Sequence, residues 1–207
     1  MLQKTSGFRE GKPLVAQVKK AGLREAILAA AFDLFSRNGY TATPVAAIAR
    51  MAGMTVANLY VYFPSKLALL YEVYRPWLEA EFQALRDSVL KCRSPRARIE
   101  RILTGLWSDI PTANHSFANT LIEALATKPP QTEKSDTLLR WSEAQLTLLL
   151  RESLPEARRH LADDAVMSHI MWMAFDGFAI NRRIGDVPNM SAIARRMTDL
   201  LLGTPSP

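Results

Sequence analysis

Cysteine is nearly absent from this chain. Cys92 stands alone among 207 residues, so neither an intrachain disulfide nor a cysteine-based zinc site can form, and a reducing compartment suits it. Histidine is scarce too: His115, His160 and His169 are far apart, and none falls at HExxH or another metal-ligand spacing. The nine glycines are scattered, with no GxGxxG or Walker pattern to cradle a phosphate. Acidic pairs such as Asp163-Asp164 read as helix starts that complement the dipole, not as catalytic dyads. With no metal, cofactor or nucleophile motif, the chain is expected not to be an enzyme. Long apolar runs are missing as well. The most apolar tract, HIMWMAFDGFAI, is broken by Asp176 and Gly177 and is too short and too polar to span a bilayer. The first twenty residues hold no apolar core of signal-peptide length. No stretch shows strand alternation bounded by hairpin turns. The expectation is an all-α, soluble, cytoplasmic protein with no cofactor and no membrane partner.

Against these absences stands an ordinary globular composition, 48% hydrophobic and 22% charged. The net charge is +6. Such a balance favours anionic partners without choosing between nucleic acid and a membrane surface. Residues 1–22 carry Lys4, Arg9, Lys12, Lys19 and Lys20 among scattered glycines and read as a mobile basic arm that can add phosphate contacts.

Helical periodicity begins at Leu23, with Ile27, Ala30, Ala31, Leu34 and Phe35 on one face. Asn38-Gly39 closes that helix. Thr43-Pro44 opens a second one, Thr43 as its cap. Gly53 ends it, and Thr55 caps a third over about 56–63. Ser65 caps a long helix from Lys66 to about Lys91, which Pro76 is expected to kink or split. Ser94-Pro95 opens a helix to about Asp109, followed by a loop, IPTANHS. Further helices are predicted over about 117–127, 133–153, 162–184 and 191–202, with a short helical piece up to His160.

Two helices joined by a glycine turn across residues 43–66 make a helix-turn-helix pattern. The first helix has a small face of Ala46, Ala47, Ala49 and Ala52, so a neighbour can approach closely. The second is about two turns long, too short to persist unless its neighbours hold it, and this leaves a face for display. The stretch TPVAAIARMAGMTVANLYVYFPSKLALL resembles the DNA-binding signature of TetR-type bacterial transcriptional regulators. Thr43, Ile48-Ala49, Ala52-Gly53, Leu59-Tyr60, Tyr62-Phe63, Lys66 and Leu69-Leu70 carry the likeness. The preceding REAILAAAFDLFSRNGYTAT resembles that family's first helix and turn. The resemblance is continuous over about residues 23–71 and architectural beyond.

It implies a helix-turn-helix DNA-binding domain over residues 23–70 and a helical effector-binding and dimerisation domain over 71–207. Ile48, Leu59 and Phe63 would lock the small helices together. Thr43, Tyr60, Tyr62 and Lys66 would meet DNA phosphates, with Val45 and Ala46 alongside. Thr55, Val56, Ala57 and Asn58 would read bases. The family often has a polar or basic residue at position 56, glycine at 57 and a polar or aromatic residue at 61. Val56, Ala57 and Val61 depart from that pattern, so long donors such as Arg to guanine are missing here. Methyl contacts from Val56 and Ala57 to thymine, and polar contacts from Thr55 and Asn58, remain.

One such helix reads only a few base pairs, so a specific site needs two copies. The tract DDAVMSHIMWMAFDGFAINRRIGDVPNMSAIARRMTDLLLG resembles the family's last two helices, which pair with their copies. The implied homodimer interface takes Val166, Ile170, Met173, Ala174, Gly177, Phe178 and Ile184 from one helix. Ile193, Met197, Leu200 and Leu201 come from the other. An effector pocket is expected among Leu103, Leu106, Trp107, Phe117, Leu121 and Trp141. Gln145, Met171 and Trp172 extend it, and Asn114 or His115 would be its polar points. Apolar walls favour a small apolar or aromatic molecule. The implied function is a repressor that binds a palindromic operator in double-stranded DNA and is released by that effector. A helical protein-interaction module without a specific operator is the alternative.

Overall fold

In the computed structural model, residues 14–113, 115–127, 137–185 and 189–203 are described. Every regular element among them is helical. The N-terminal domain is built from α1 (Leu14–Asn38), α2 (Val45–Met51), α3 (Val56–Tyr62) and the start of α4 (Lys66–Leu90). The C-terminal domain continues through α5 (Pro95–Thr104), a π-helical turn (Gly105–Asp109), α6 (Ile110–Ala113), α7 (His115–Ala126) and α8 (Thr137–Ser153). A 3₁₀ turn (Glu156–Ala162), α9 (Val166–Arg183) and α10 (Met190–Leu202) complete it.

Four helix starts follow from short polar side chains. Thr55, Ser65, Ser94 and Asn189 each accept a hydrogen bond from the backbone N–H three residues on, satisfying a donor that the helix cannot. Thr43 departs from this rule. Pro44 occupies the cap position of α2 and no side chain caps that helix. Instead the Thr43 hydroxyl donates back to the carbonyls of Gly39 (2.7 Å) and Leu34 (3.2 Å). It closes the C-terminus of α1 and is completely buried.

Three further differences from the sequence reading have physical causes. Helix α1 begins at Leu14, so residues 14–22 of the expected arm are helical, while residues 1–13 lie outside the described residues. Helix α4 runs unbroken through Pro76. Leu70, Tyr74, Leu78, Phe82, Leu85 and Val89 are buried at successive turns and hold the helix on both sides of the exposed proline. The expected loop after Asp109 is helical to Ala113, because Ile110 and Pro111 are buried and keep the chain against the core. The expected first residues of α8, Glu133 to Asp136, fall outside the described residues.

The core is continuous across both domains. Ile27, Phe35, Ile48, Leu59 and Phe63 fill the N-terminal part, and Leu69, Tyr74 and Leu78 of α4 carry it onward. Ile99, Ile102, Leu103, Leu106, Trp107, Met171 and Phe175 fill the C-terminal part, where α10 packs on α5 and α9 packs on α7 and α8. No single helix among the described residues is long and apolar enough to cross a membrane.

Candidate nucleic-acid interface and its coupled cavity

Helices α2 and α3 turn through 93°, within the usual range of a helix-turn-helix corner. Gly53 makes the corner with φ of 68°, a left-handed conformation that side chains resist. Leu59 is the one fully buried residue of α3 and pins it to the domain. At 100° per residue, the direction opposite Leu59 belongs to Ala57 and Val61. Both are exposed, and Val61 is 70% exposed. Asn58 and Tyr60 flank them and are exposed too, while Val56 lies at the edge, 36% exposed. The expected base-reading residues Thr55, Val56, Ala57 and Asn58 therefore reach the surface together. Ala46 joins them as an exposed residue, while Val45 and Tyr62 are half-buried.

Two expected phosphate contacts are placed differently. Thr43 is inside the domain, as described above. The Lys66 ammonium donates to the Tyr40 carbonyl and sits 4.1 Å from the centre of the Tyr40 ring. Burial holds its pKa below the usual lysine value, and Glu123 opposes that shift. Positive charge at the front of α4 is unfavourable to the helix dipole. The carbonyl and ring of Tyr40 at the end of α1 supply the compensating negative potential, so the lysine folds inward.

A basic group not anticipated from sequence stands nearer the recognition helix. Arg50, exposed at the end of α2, lines an open concavity with Leu23, Gly53, Met54, Thr55, Asn58, Val61 and Tyr62. It has no ion-pair partner among the described residues, whereas Arg24 is paired with Glu72 and Arg37 with Asp33 at 2.6 Å. The available signal was that Arg50 is the only charged residue between Thr43 and Ser65.

In the C-terminal domain, a narrow cavity of about 50 Å³ lies among α4, α7, α8 and α9. Tyr71, Leu78, Leu121, Leu125, Leu138, Leu139 and Trp172 give it apolar walls, and Ser142 and Asp176 are its polar points. The Ser142 hydroxyl is occupied by the Leu138 carbonyl at 2.9 Å. Burial raises the Asp176 pKa above the usual aspartate value, with His169 opposing. The Trp172 indole N–H is buried and has no hydrogen-bond partner among the described residues.

Of the expected pocket residues, only Leu121 and Trp172 line this cavity. Leu103, Leu106 and Met171 are fully buried core. Trp107 is core as well: its indole N–H donates to the Met171 carbonyl at 2.9 Å and braces the π-helical turn against α9. Trp141 and Gln145 line a separate depression between α4 and α8, with Trp141 edge-on to Phe82 at 5.4 Å. Asn114 and the side chains of His115 and Phe117 lie outside the described residues. Asp176, which sequence reasoning used only as a break in an apolar tract, is the polar residue the cavity presents.

The two sites meet through α7. Leu121 and Leu125 of α7 line the cavity. From the same helix the Glu123 carboxylate accepts the Thr41 backbone N–H at 3.1 Å. It also lies 2.8 Å from where a Gly39 Cβ would be, and Gly39 has φ of 78°. The left-handed backbone favours glycine there.

On α9, Val166, Ile170, Met173 and Ile180 form an exposed apolar stripe that Ile184 continues just past the helix end, and Leu200 of α10 is exposed as well. Ala174, Gly177 and Phe178 are half-buried beside it, as are Ile193 and Met197 of α10. Phe178 leans on Trp107 at 5.4 Å. Leu201, expected in the same surface, is 4% exposed and faces its own core. Its neighbour Leu200 takes the outward position, 100° round the helix.

Residues 27–73 match the family model described as bacterial regulatory proteins, tetR family. The chain is 36% identical over 109 residues to the HTH-type transcriptional regulator RutR of Escherichia coli (strain K12), covering 51% of this chain and 50% of that protein. It is 35% identical over 99 residues to the HTH-type transcriptional repressor KstR2 of Rhodococcus jostii (strain RHA1), covering 48% of each. The chain thus spans about half the length of the curated relatives it matches. Its fold is similar to that of the transcriptional regulator FadR from Bacillus subtilis, solved in complex with stearoyl-CoA. The TM-score is 0.60 at 15% identity, over 88% of this chain and 99% of that one.

Proposed function

We propose that this chain, whose residues 27–73 match the tetR family of bacterial regulatory proteins, is a cytoplasmic, homodimeric transcriptional repressor that a small molecule releases from a palindromic operator. The observation that carries this reading is α3 itself. A seven-residue helix is held by one buried leucine and capped by Thr55, and it turns an exposed face outward at 93° to α2. Nothing in packing alone calls for such a display. Thr55, Val56, Ala57 and Asn58 read the major groove. Arg50, Tyr60 and the exposed start of α2 at Ala46 hold the backbone. Tyr62 supports them from its half-buried position. Lys66 and Thr43 serve the same surface indirectly, by fixing the 39–43 turn.

Two copies are needed to set half-site spacing. The stripe on α9 with Leu200 is the proposed dimer seam, since a row of exposed apolar side chains this long finds no cover among the described residues. The effector enters the cavity among α4, α7, α8 and α9. Leu121, Tyr71 and Trp172 face its apolar or aromatic body, and Asp176 and the Trp172 N–H meet its one polar group. The cavity is narrow, so binding wedges α7 outward. Glu123 moves with α7 and draws on the Gly39–Thr41 turn, and α4 moves with Tyr71 and Leu78. The effector shifts the equilibrium only by its preference for that moved conformer.

Selection of DNA from a random-sequence pool tests this reading. A repressor of this kind enriches a motif of two inverted half-sites. A pool that stays unenriched after repeated rounds would refute it and favour a protein-interaction module.

A further inference from the structure

The outward ridge of α3 contains no nitrogen or oxygen. Ala57 and Val61 stand one turn apart opposite buried Leu59, and Val56 lies at the edge toward the buried side, 36% exposed. The whole helix, VANLYVY, lacks any charged residue. Its side-chain polar groups are confined to the flanks, Asn58 with Tyr62 on one side and Tyr60 on the other. A ridge of methyl groups cannot take hydrogen bonds from a base edge. Only one apolar group faces the major groove of unmodified DNA, the C5-methyl of thymine. Val61 is the most exposed large apolar residue of this ridge, at 70%.

Resting on the operator-binding reading above, we propose that Ala57 and Val61 select the operator half-site by burying thymine methyl groups, so that thymines carry the specificity at the centre of each half-site. The helix carries no arginine or lysine, so the bidentate contact of a long cationic donor to guanine is not available to it. Arg50 reaches the backbone from the side of the helix and contributes affinity without sequence preference.

The test uses the full-length protein and the duplex enriched by selection. That duplex is synthesised twice, once normally and once with deoxyuridine replacing thymidine within the half-sites. Uracil keeps every hydrogen-bonding group and loses only the methyl. Each buried methyl is worth roughly a four-fold change in affinity, so loss of one per half-site weakens binding about sixteen-fold. Val61→Ala separates this from any general change in the duplex. The residue is exposed, so the fold is unaffected, and the variant should lose affinity for the thymine duplex while binding the uracil duplex as the parent does. Equal affinity of the parent for both duplexes overturns the inference and leaves the regulator reading standing. Half-sites whose centre holds no thymine do the same. Absence of any enriched motif overturns both.

Discussion

The two domains of this chain are specified in different ways. In the N-terminal domain, short helices are fixed by local devices: Thr55 and Ser65 as caps, Gly39 and Gly53 at positive φ, and small alanines where helices approach. Its buried side chains are few and each has one evident place. In the C-terminal domain the helices are longer and the core is aromatic, with Phe82 against both Trp141 and Trp172, and Trp107 against Phe178. There position depends on packing between distant segments, which no local pattern encodes. A surface-reading function needs rigid local geometry, whereas a ligand-responsive one needs a core that can be wedged apart.

The sharpest way to break this comparison is Leu59→Ala. Removing a fully buried leucine costs about 2–5 kcal/mol, and it is the sole buried anchor of α3. Selective DNA binding should vanish at room temperature. All four tryptophans lie beyond residue 71, so the tryptophan emission maximum should stay where it is in the parent. A red shift accompanying the loss would mean that the two domains are not specified separately.

Next in size is the proposed seam between protomers. A Cβ at Gly177 meets nothing within 4 Å among the described residues. Gly177→Arg should therefore leave the melting temperature of the protomer little changed. An unpaired charge placed in an apolar seam costs about 3 kcal/mol, roughly a hundred-fold in dimer dissociation constant. Sedimentation velocity would show the dimer peak giving way to monomer. A dimer unaffected by this change would place the interface elsewhere.

Glu123→Ala probes the join between the domains. It removes the acceptor of the Thr41 N–H and should cost about 1 kcal/mol of stability. Operator affinity should become less responsive to any compound that binds the cavity. Unaltered responsiveness would assign the coupling to α4 alone.

The smallest expected effect is at Asp176. Burial raises its folded-state pKa above the unfolded value. The folded state then binds the proton more tightly, so stability falls as pH rises from the unfolded pKa through the folded one. Asp176→Asn should accordingly melt slightly higher than the parent at neutral pH, and the gap should close in acid below the ordinary aspartate pKa. Thermal melts across that pH range check it; a gap that widens in acid contradicts the assigned cause.

The contrast between domains also explains what was legible in the sequence. The family signature, the caps and the glycine turn could be read directly, because each depends on residues within four positions. Side-chain direction could not. Thr43 turns back to cap α1 because Pro44 already occupies the entry to α2, and Lys66 folds onto Tyr40 because its own helix repels it. In the C-terminal domain Trp107 and Trp172 look alike as sequence. One indole N–H finds the Met171 carbonyl and becomes core; the other finds no acceptor among the described residues and faces the cavity. Leu200 and Leu201 likewise differ only by 100° of helix. Asp176 escaped notice because its importance comes from burial by α4, α7 and α8, far away in the chain.

Fluorescence anisotropy on the selected duplex tests the central claim most directly, at one fixed salt concentration and against a scrambled duplex of equal length. The account predicts two protomers bound per duplex and a preference of about a thousand-fold or more for the selected sequence. Equal affinity for both duplexes, or saturation at one protomer per site, would contradict it.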